Sequence, residues 1–439
     1  MLPKIKWFLV TAAALIMFIG QCSAVISNDL YVEATGSSKN EISATYFGMH
    51  FHRLTLNQGE KGSLTKWPEQ LIGSIRLWDS RVRWADISPR AGQWNFERMD
   101  TYVEQAVINN TDILYVLGST PRWVSVRPDE QCPYGMGCAA EPIRMAHWEE
   151  YVRRVAQRYK GKISTYELWN EPFFSELKKQ KGKSDFYYGS VSQMVEMARI
   201  ARKVLDEVDP KAVLTTPGFT GPTNQLELFL SSGGKQYVQA IAYHFYASDV
   251  VQFGNQLLEV RAIMARQGLS QLPLLNTETG VEVYINRPLP TGVKDLTRTE
   301  AAVRMAQFLI MGAAAGLERY YYYAWDNPNS GMSSSPSVRF PAWDAYEKIY
   351  GWLLGAKMLG CKPIPPSGLR CQGEVSGQQF LIVWAEKEAI HAIPVPDGQR
   401  AVSVEKLFST RPQVIGGRDR SLKLKLGNEP VRILLEAHS

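Results

Sequence analysis

Short runs of β-branched and aromatic residues alternate with longer amphipathic stretches over most of the chain. The short runs predict eight strands, at 46–52, 74–78, 112–118, 163–169, 212–216, 240–246, 272–277 and 319–324. The helical period is clearest at 143–159, 191–208, 251–266, 299–314 and 343–358. Eight strand-helix units predict an α/β fold closed into a (β/α)8 TIM barrel over residues 41–358.

The pattern changes after Met358, where Gly and Pro punctuate short alternating runs. These runs lie at 380–385, 390–395, 402–407, 422–426 and 431–435. Residues 359–439 are therefore predicted to form a small antiparallel β-sandwich domain. The segment 25–40 contains one more short run, and we expect this lead-in strand to join the sandwich.

The first residues have the three zones of a secretory signal peptide. Lys4 and Lys6 precede an apolar run at 7–19, and small residues follow up to Ala24. The run is shorter than the ~20 residues that a membrane-spanning helix needs. We therefore predict cleavage near Ala24 and a periplasmic or secreted protein without a membrane span. A lipoprotein attached at Cys22 is the alternative.

Four cysteines remain once the predicted signal peptide 1–24 is removed. They form two local couples, Cys132 with Cys138 and Cys361 with Cys371, in segments rich in Pro and Gly. An even count in an exported chain favours disulfides, and the closeness of each couple favours local bridges. A metal site is the alternative, although no histidine lies near either couple at a ligand spacing.

Charge and composition narrow the class of partner. Of 439 residues 45% are hydrophobic and 21% charged, which is typical of a folded globular protein. Lys and Arg number 49 against 43 Asp and Glu, a net charge of +6 that is small and scattered. The chain also has no basic helix or zinc-finger spacing, so nucleic-acid binding is not expected.

Two glutamates stand at the carboxyl ends of predicted strands. Glu171 follows the fourth strand just before Pro172, and Glu278 ends the seventh just before Gly280. Carboxyl ends of barrel strands face the active site, and strands four and seven lie across the mouth from each other. Two facing carboxyl groups are the catalytic groups of glycoside hydrolysis, in which one protonates the leaving oxygen and the other attacks the anomeric carbon.

The residues around Glu171 resemble a known motif. Trp169-Asn170-Glu171-Pro172, preceded by Tyr166-Glu167, resembles the acid/base motif of clan A glycoside hydrolases and is most similar to family 39. The resemblance implies a retaining glycosidase that uses two glutamates in a double displacement and needs no metal or organic cofactor. It assigns Glu171 as acid/base and Glu278 as nucleophile.

The same resemblance implies roles for further residues on strand ends. Arg76 would hold the nucleophile, Asn170 would contact the sugar 2-hydroxyl, and Trp325 would lie under the sugar ring. His244 and Tyr246, two residues apart and so on one face of strand six, would lie near the nucleophile.

The residues themselves suggest three more positions. His50 and Trp123 are candidate sugar contacts, with a place in the core as the alternative for each. Glu167 is expected to be a buried partner of an arginine. We also expect Arg76 to keep Glu278 ionised, while the facing anion raises the pKa of Glu171.

The substrate is predicted only as a polysaccharide or oligosaccharide. The family resemblance suggests β-xylosides, uronic-acid glycans or bacterial exopolysaccharides, and the last is favoured because the chain has no separate binding module. Long loops after strands three, four, seven and eight predict an open groove and internal cleavage. Two other functions stay open: a transglycosylase, and a catalytically silent carbohydrate-binding protein on the same fold.

Overall fold

The computed structural model describes residues 40–55, 64–68, 72–177, 186–284, 295–335, 338–365, 367–415 and 421–437. The predicted signal peptide and all but the last residue of the lead-in segment 25–40 lie outside the described residues. In the part of the chain that is described, no helix combines the length and apolar character needed to cross a bilayer.

Eight parallel strands form the barrel. They are β1 Phe47–His50, β2 Ser74–Leu77, β3 Asp112–Val116, β4 Thr165–Glu167, β5 Val213–Thr215, β6 Ile241–His244, β7 Leu274–Thr279 and β8 Arg319–Tyr322. Neighbours in chain order pair from β1 to β5 and from β6 to β8, and β8 pairs with β1. The ring closes between β5 and β6 through a bridge from Thr215 to Ala240 and a short strand at Phe219–Thr220. The predicted (β/α)8 barrel is confirmed.

Eight helices are described with the strands. They are α1 Trp84–Ile87, α2 Glu97–Ile108, α3 Met145–Arg158, α4 Val191–Val208, α5 Asn224–Ser231, α6 Val250–Arg266, α7 Arg298–Ala314 and α8 Pro341–Leu353. The five predicted helices agree with the structure, but α8 ends before the predicted residue 358. The reason is local: Leu354 is extended and Gly355 has a φ of +75°, a conformation that glycine tolerates.

The C-terminal part has two antiparallel sheets. The strands are β9 Lys357–Ile364, β10 Gly368–Val375, β11 Gln378–Ala385, β12 Ala389–Pro394, β13 Gln399–Lys406, β14 Gln413–Val414, β15 Ser421–Leu426 and β16 Val431–Ala437. Six of them pair in the order β9-β10-β11-β16-β13-β14, and β12 pairs with β15. Apolar residues such as Leu381, Ile393 and Ile433 fill the space between the sheets. The predicted β-sandwich is confirmed, and we keep its start near residue 359 as our proposed domain division.

Both predicted disulfides are present. Cys132–Cys138 closes a short hairpin in the loop after β3, and Cys361–Cys371 joins register partners of β9 and β10. The second bridge belongs to the core that the sandwich shares with the barrel. The first bridge fixes a loop that borders the carboxyl ends of the barrel strands, where the site lies.

Candidate active site

Arg76 lies at the centre of the site, on β2, and its side chain is fully buried. Its Nη1 donates to Oε2 of Glu278 at 2.8 Å, and its Nη2 donates to Oε1 of Glu167 at 2.6 Å. Burial opposes the charge, but the two carboxylates outweigh it and raise the pKa of Arg76. The predicted arginine partner of Glu167 is thereby confirmed, and one guanidinium ties β4 and β7 to β2.

Glu171 is positioned by an unusual backbone. Its φ is +42°, which is uncommon outside glycine, and its N–H donates to the carbonyl of Gly218 at 2.9 Å. A Cβ on Gly218 would lie 2.4 Å from Oε1 of Glu167 and 2.4 Å from Nε2 of His244. Gly218 is thus required for its segment to approach the end of β4 so closely. The positive φ of Glu171 is a strained conformation of the kind that clusters at active sites.

His244 contacts the acid/base candidate. Its Nδ1 is 2.9 Å from Oε1 of Glu171, and its Nε2 is 3.3 Å from Nη2 of Arg76. A guanidinium only donates, so Nε2 must accept and Nδ1 must carry the proton that goes to Glu171. Burial lowers the pKa of His244 to about 4, so the ring is neutral near neutral pH. His244 and Tyr246 both lie near Glu278, as expected: a ring nitrogen of His244 is within 4.8 Å of a Glu278 oxygen, and Tyr246 donates its hydroxyl to the carboxylate.

Both oxygens of Glu278 accept hydrogen bonds. Tyr246 donates its hydroxyl to Oε1 at 2.8 Å, and Arg76 donates to Oε2. The residue is 8% exposed, and burial raises the pKa of Glu278 despite the nearby positive charge. Arg76 acts to lower this pKa, as expected, but the loss of hydration on burial has the larger effect.

The two catalytic candidates are close. Oxygen atoms of Glu171 and Glu278 and a ring nitrogen of His244 all lie within 4.8 Å of one another, a spacing that a metal ion could use. However, the oxygens of Glu278 already accept from Arg76 and Tyr246, and His244 directs a proton at Glu171. A cation would have to replace these bonds beside a guanidinium, so the arrangement suits proton transfer better than metal binding.

The other predicted contacts are divided between site and core. Asn170 is at the site, where its Oδ1 accepts from Arg76 at 2.7 Å. His50 is buried on β1, with Nε2 3.2 Å from the carbonyl of Thr277, and burial lowers its pKa well below the usual range. Trp123 is half-buried and donates to the carbonyl of Ser88. Among the described contacts, none joins Trp123 to either glutamate.

The prediction for Trp325 is wrong. This residue is 3% exposed, its backbone N–H donates to the carbonyl of His50, and its ring packs 4.3 Å from that of Trp343. A ring enclosed in this way has no free face for a sugar. Tyr323, at the end of β8, is half-buried and faces the strand ends instead.

Several aromatic side chains at the cleft were missed in the sequence. Tyr134, in the disulfide loop, packs 5.4 Å from Phe186, and Phe173 stacks on Tyr188 at 6.4 Å just after Glu171. All four are half-buried. Phe173 and Tyr188 are partners on two strands of three residues each, and Tyr134 and Phe186 lie outside regular elements. Segments this short show no strand or helix period, so only the aromatic residues after a strand end could have indicated them.

The depressed pKa of His244 predicts a loss of stability in acid. Between pH 6.5 and about 4 the unfolded chain protonates this histidine and the folded chain does not, so the free energy of unfolding falls as the pH falls through that window. The loss from this residue is about 2–3 kcal/mol. Urea unfolding at pH 7 and 4.5 should show a smaller pH dependence in His244→Gln than in the wild type. His147→Gln is the control, and an equal pH dependence in all three proteins contradicts the prediction.

Comparison with known proteins gives one family match and many structural matches. The family model described as glycosyl hydrolase family 10 matches residues 42–217. A family 39 glycoside hydrolase from the gut symbiont Bacteroides cellulosilyticus WH2 is 14% identical with a TM-score of 0.64, covering 91% of this chain and 82% of that chain. A family 39 β-xylosidase from Caulobacter crescentus is also 14% identical, with a TM-score of 0.59 and coverage of 92% and 98%.

A family 30 endoxylanase from Clostridium papyrosolvens C71 is 13% identical with a TM-score of 0.57, again covering 92% of this chain and 98% of that chain. At these identities the structural matches establish a shared fold. The predicted resemblance to clan A glycoside hydrolases, of a family 39-like form, is confirmed. The predicted class of enzyme, a glycosidase, is confirmed with it.

Proposed function

We propose that the protein is an exported retaining glycosidase that hydrolyses O-glycosidic bonds of a polysaccharide or oligosaccharide through Glu171 and Glu278. The observation that carries this proposal is the facing pair of carboxylates, with oxygen atoms within 4.8 Å of each other. Retaining enzymes have carboxyl groups roughly 5–5.5 Å apart, whereas inverting enzymes need about 6.5–9.5 Å to admit a water.

In the first step Glu278 attacks the anomeric carbon and the glycosidic bond breaks. Arg76 and Tyr246 donate to the two oxygens of Glu278, which favours its ionised form and aims it at the cleft. Glu171 gives its proton to the leaving oxygen. Oε1 of Glu171 accepts from Nδ1 of His244, which helps to position this carboxyl group at the end of β4.

In the second step water replaces Glu278 at the anomeric carbon. Glu171, now ionised, takes a proton from the water, and the carboxylate of Glu278 is released. His244 can donate to Oε1 in both steps because the ring remains neutral. The same intermediate could be intercepted by a second sugar, so a transglycosylase uses the same residues.

The neighbouring side chains support binding of one sugar against the two glutamates. Asn170 uses its oxygen to accept from Arg76, which leaves its amide N–H groups for a sugar hydroxyl. Tyr323 takes the place at the end of β8 that was predicted for Trp325. Aromatic faces stack on the apolar faces of pyranose rings, so Tyr323 is our proposed platform.

A polymer substrate is supported by two aromatic pairs in the segments after β3 and β4. Tyr134 packs on Phe186, and Phe173 packs on Tyr188. An open groove with such walls suits internal cleavage, which a product profile of several oligosaccharide lengths would support. We favour a bacterial exopolysaccharide, with xylans as the second candidate because two of the similar enzymes are named for xylosidase and xylanase activity. The two disulfides support an exported location.

The stereochemistry of the first-formed product tests the mechanism. Two displacements at one carbon should return the original anomeric configuration, and proton NMR during the first minutes of turnover should detect it. An inverted first product contradicts the role of Glu278 as nucleophile. Failure of every glycan and aryl glycoside to release a reducing end would favour the carbohydrate-binding alternative.

A further inference from the structure

A third carboxylate stands at the cleft beside the two proposed catalytic groups. Asp79 follows β2 and is half-buried, and its two oxygens accept hydrogen bonds from Tyr134 and Tyr323 at 2.6 Å each. In the described part of the chain, no Lys or Arg nitrogen lies within 4.0 Å of this carboxylate. Its direct hydrogen-bond partners are therefore two neutral hydroxyl groups, and no cation contacts its negative charge in this part of the chain.

The two tyrosines come from opposite sides of Asp79. Tyr134 lies inside the Cys132–Cys138 loop, and its hydroxyl accepts from Nε1 of Trp78 at 2.8 Å, so its own proton is directed at Asp79. Tyr323 follows β8, with its ring 5.1 Å from that of His50. Each carboxylate oxygen of Asp79 can accept two hydrogen bonds and accepts one from a tyrosine hydroxyl. Both oxygens can therefore accept a further hydrogen bond from a ligand.

The charges around Asp79 are unbalanced. Three carboxylates carry negative charge at the cleft, Asp79, Glu167 and Glu278, because Glu171 carries a proton as the proposed acid. The buried cation among them is Arg76. The nearby Arg83 is paired with Asp86 at 2.7 Å, so this pair adds no net charge. The facing histidines His50 and His244 are neutral near pH 7 because burial lowers the pKa of each. The cleft is therefore negatively charged.

Asp79 lies on the nucleophile side of this cleft. Its charge and that of Glu171 both act to raise the pKa of Glu278, which indicates that the field of Asp79 reaches the nucleophile. A sugar bound covalently to Glu278 would occupy this side. A carboxylate on that sugar would meet Asp79 at short range in a half-buried place where water screens charge poorly.

We propose that Asp79, Tyr134 and Tyr323 form a subsite for a sugar that presents a hydrogen-bond donor, either a hydroxyl or an ammonium group, and that they exclude uronic acids. The proposal rests on the glycosidase function proposed above and narrows its substrate class. Of the substrates left open by the sequence, β-xylosides and exopolysaccharides without uronic acids fit this subsite, and uronic-acid glycans do not.

The test uses matched aryl glycosides that differ only at C6, which carries a hydroxymethyl, an aminomethyl or a carboxylate group. We expect the wild-type enzyme to have a kcat/KM at least 100-fold lower for the carboxylate than for the hydroxymethyl compound. In Asp79→Asn this ratio should shrink at least tenfold, because the repulsion is removed. The fall in kcat/KM from the wild type to Asp79→Asn is then compared between the other two compounds. A larger fall for the aminomethyl compound identifies ammonium as the preferred donor, and equal falls for both compounds identify hydroxyl.

Controls separate this subsite from a structural effect. Glu150→Gln removes an exposed carboxylate on α3 that is paired with Arg154, and it should leave the ratio unchanged. Tyr134→Phe keeps the ring and removes one donor to Asp79, and it should raise KM for the neutral substrate with little change in kcat. Wild-type discrimination is measured without any variant, so a poorly folding Asp79→Asn would not remove the test.

Two different failures can be told apart. Hydrolysis of the uronide within threefold of the neutral compound by the wild type overturns the proposed subsite and leaves the glycosidase function standing. So does an Asp79→Asn variant that folds with an unchanged ratio. Absence of hydrolysis of any glycan or aryl glycoside overturns the glycosidase function itself.

Discussion

Glu278→Ala should lower kcat by roughly 10⁴- to 10⁶-fold, the range found when a catalytic nucleophile is removed. The reason is that no other described oxygen is held by both Arg76 and Tyr246 and faces Glu171 within 4.8 Å. Arg76 keeps Glu167 as its partner in the variant, so the fold should persist. Initial rates on an activated aryl glycoside measure the effect, and Glu150→Ala, an exposed carboxylate paired on α3, is the control.

Azide distinguishes the two glutamates by the configuration of its product. In Glu278→Ala azide can enter the vacated space, displace the aryl group in one step and give a glycosyl azide of inverted configuration. In Glu171→Ala the intermediate on Glu278 still forms from an activated substrate, and azide should release it with retention. The same configuration from both variants, or full activity of Glu278→Ala without azide, contradicts our assignment.

Arg76→Met should destabilise the protein by about 3–5 kcal/mol at pH 7, the cost of leaving buried charges without a partner. Glu167 is fully buried and depends on this guanidinium for its ion pair, and Glu278 loses one of its two donors. This loss of stability should shrink as the pH falls from 7 to 5. Burial raises the pKa of Glu278 and Arg76 opposes the rise, so in the variant the folded state takes up a proton at Glu278 more readily. Urea unfolding at both pH values measures the change.

Two variants calibrate that result. Arg158→Met removes the exposed ion pair with Asp100 and should cost no more than about 1 kcal/mol. Adding Glu167→Gln to Arg76→Met removes one buried charge and should recover at least about 1 kcal/mol, a sign of coupling between the two residues. Equal losses for Arg76→Met and Arg158→Met would show that the buried network contributes no more than a surface pair.

An arginine partner for Glu167 could be predicted from the sequence, whereas the raised pKa of Glu278 could not. Glu167 has the strand parity of Glu171 and lies four residues deeper, so a buried arginine partner follows from its position. The pKa of Glu278 depends on how completely many segments exclude water from it. No local pattern contains that information.

The hydrogen-bond partner of His244 and the burial of Trp325 also could not be predicted from the sequence. Strand parity puts His244 and Tyr246 on one face, but which glutamate each contacts depends on the relative height of β4, β6 and β7. Trp325 and Tyr323 are two residues apart, and packing on Trp343 of α8 decides that Trp325 enters the core. The hairpin of β9 and β10 was missed because its Pro and Gly residues resemble a loop.

The sequence by itself determined the barrel, most of the sandwich, the positions of Glu171 and Glu278, and the two disulfides. Each of these depends on local information: a period of 2 or 3.6, a motif at a strand end, or cysteines separated by 6 and 10 residues. The tertiary structure alone decided the subsite around Asp79, whose partners lie 55 and 244 residues away. Barrel closure brings these segments together, and the exclusion of water around them sets the charge that a substrate meets.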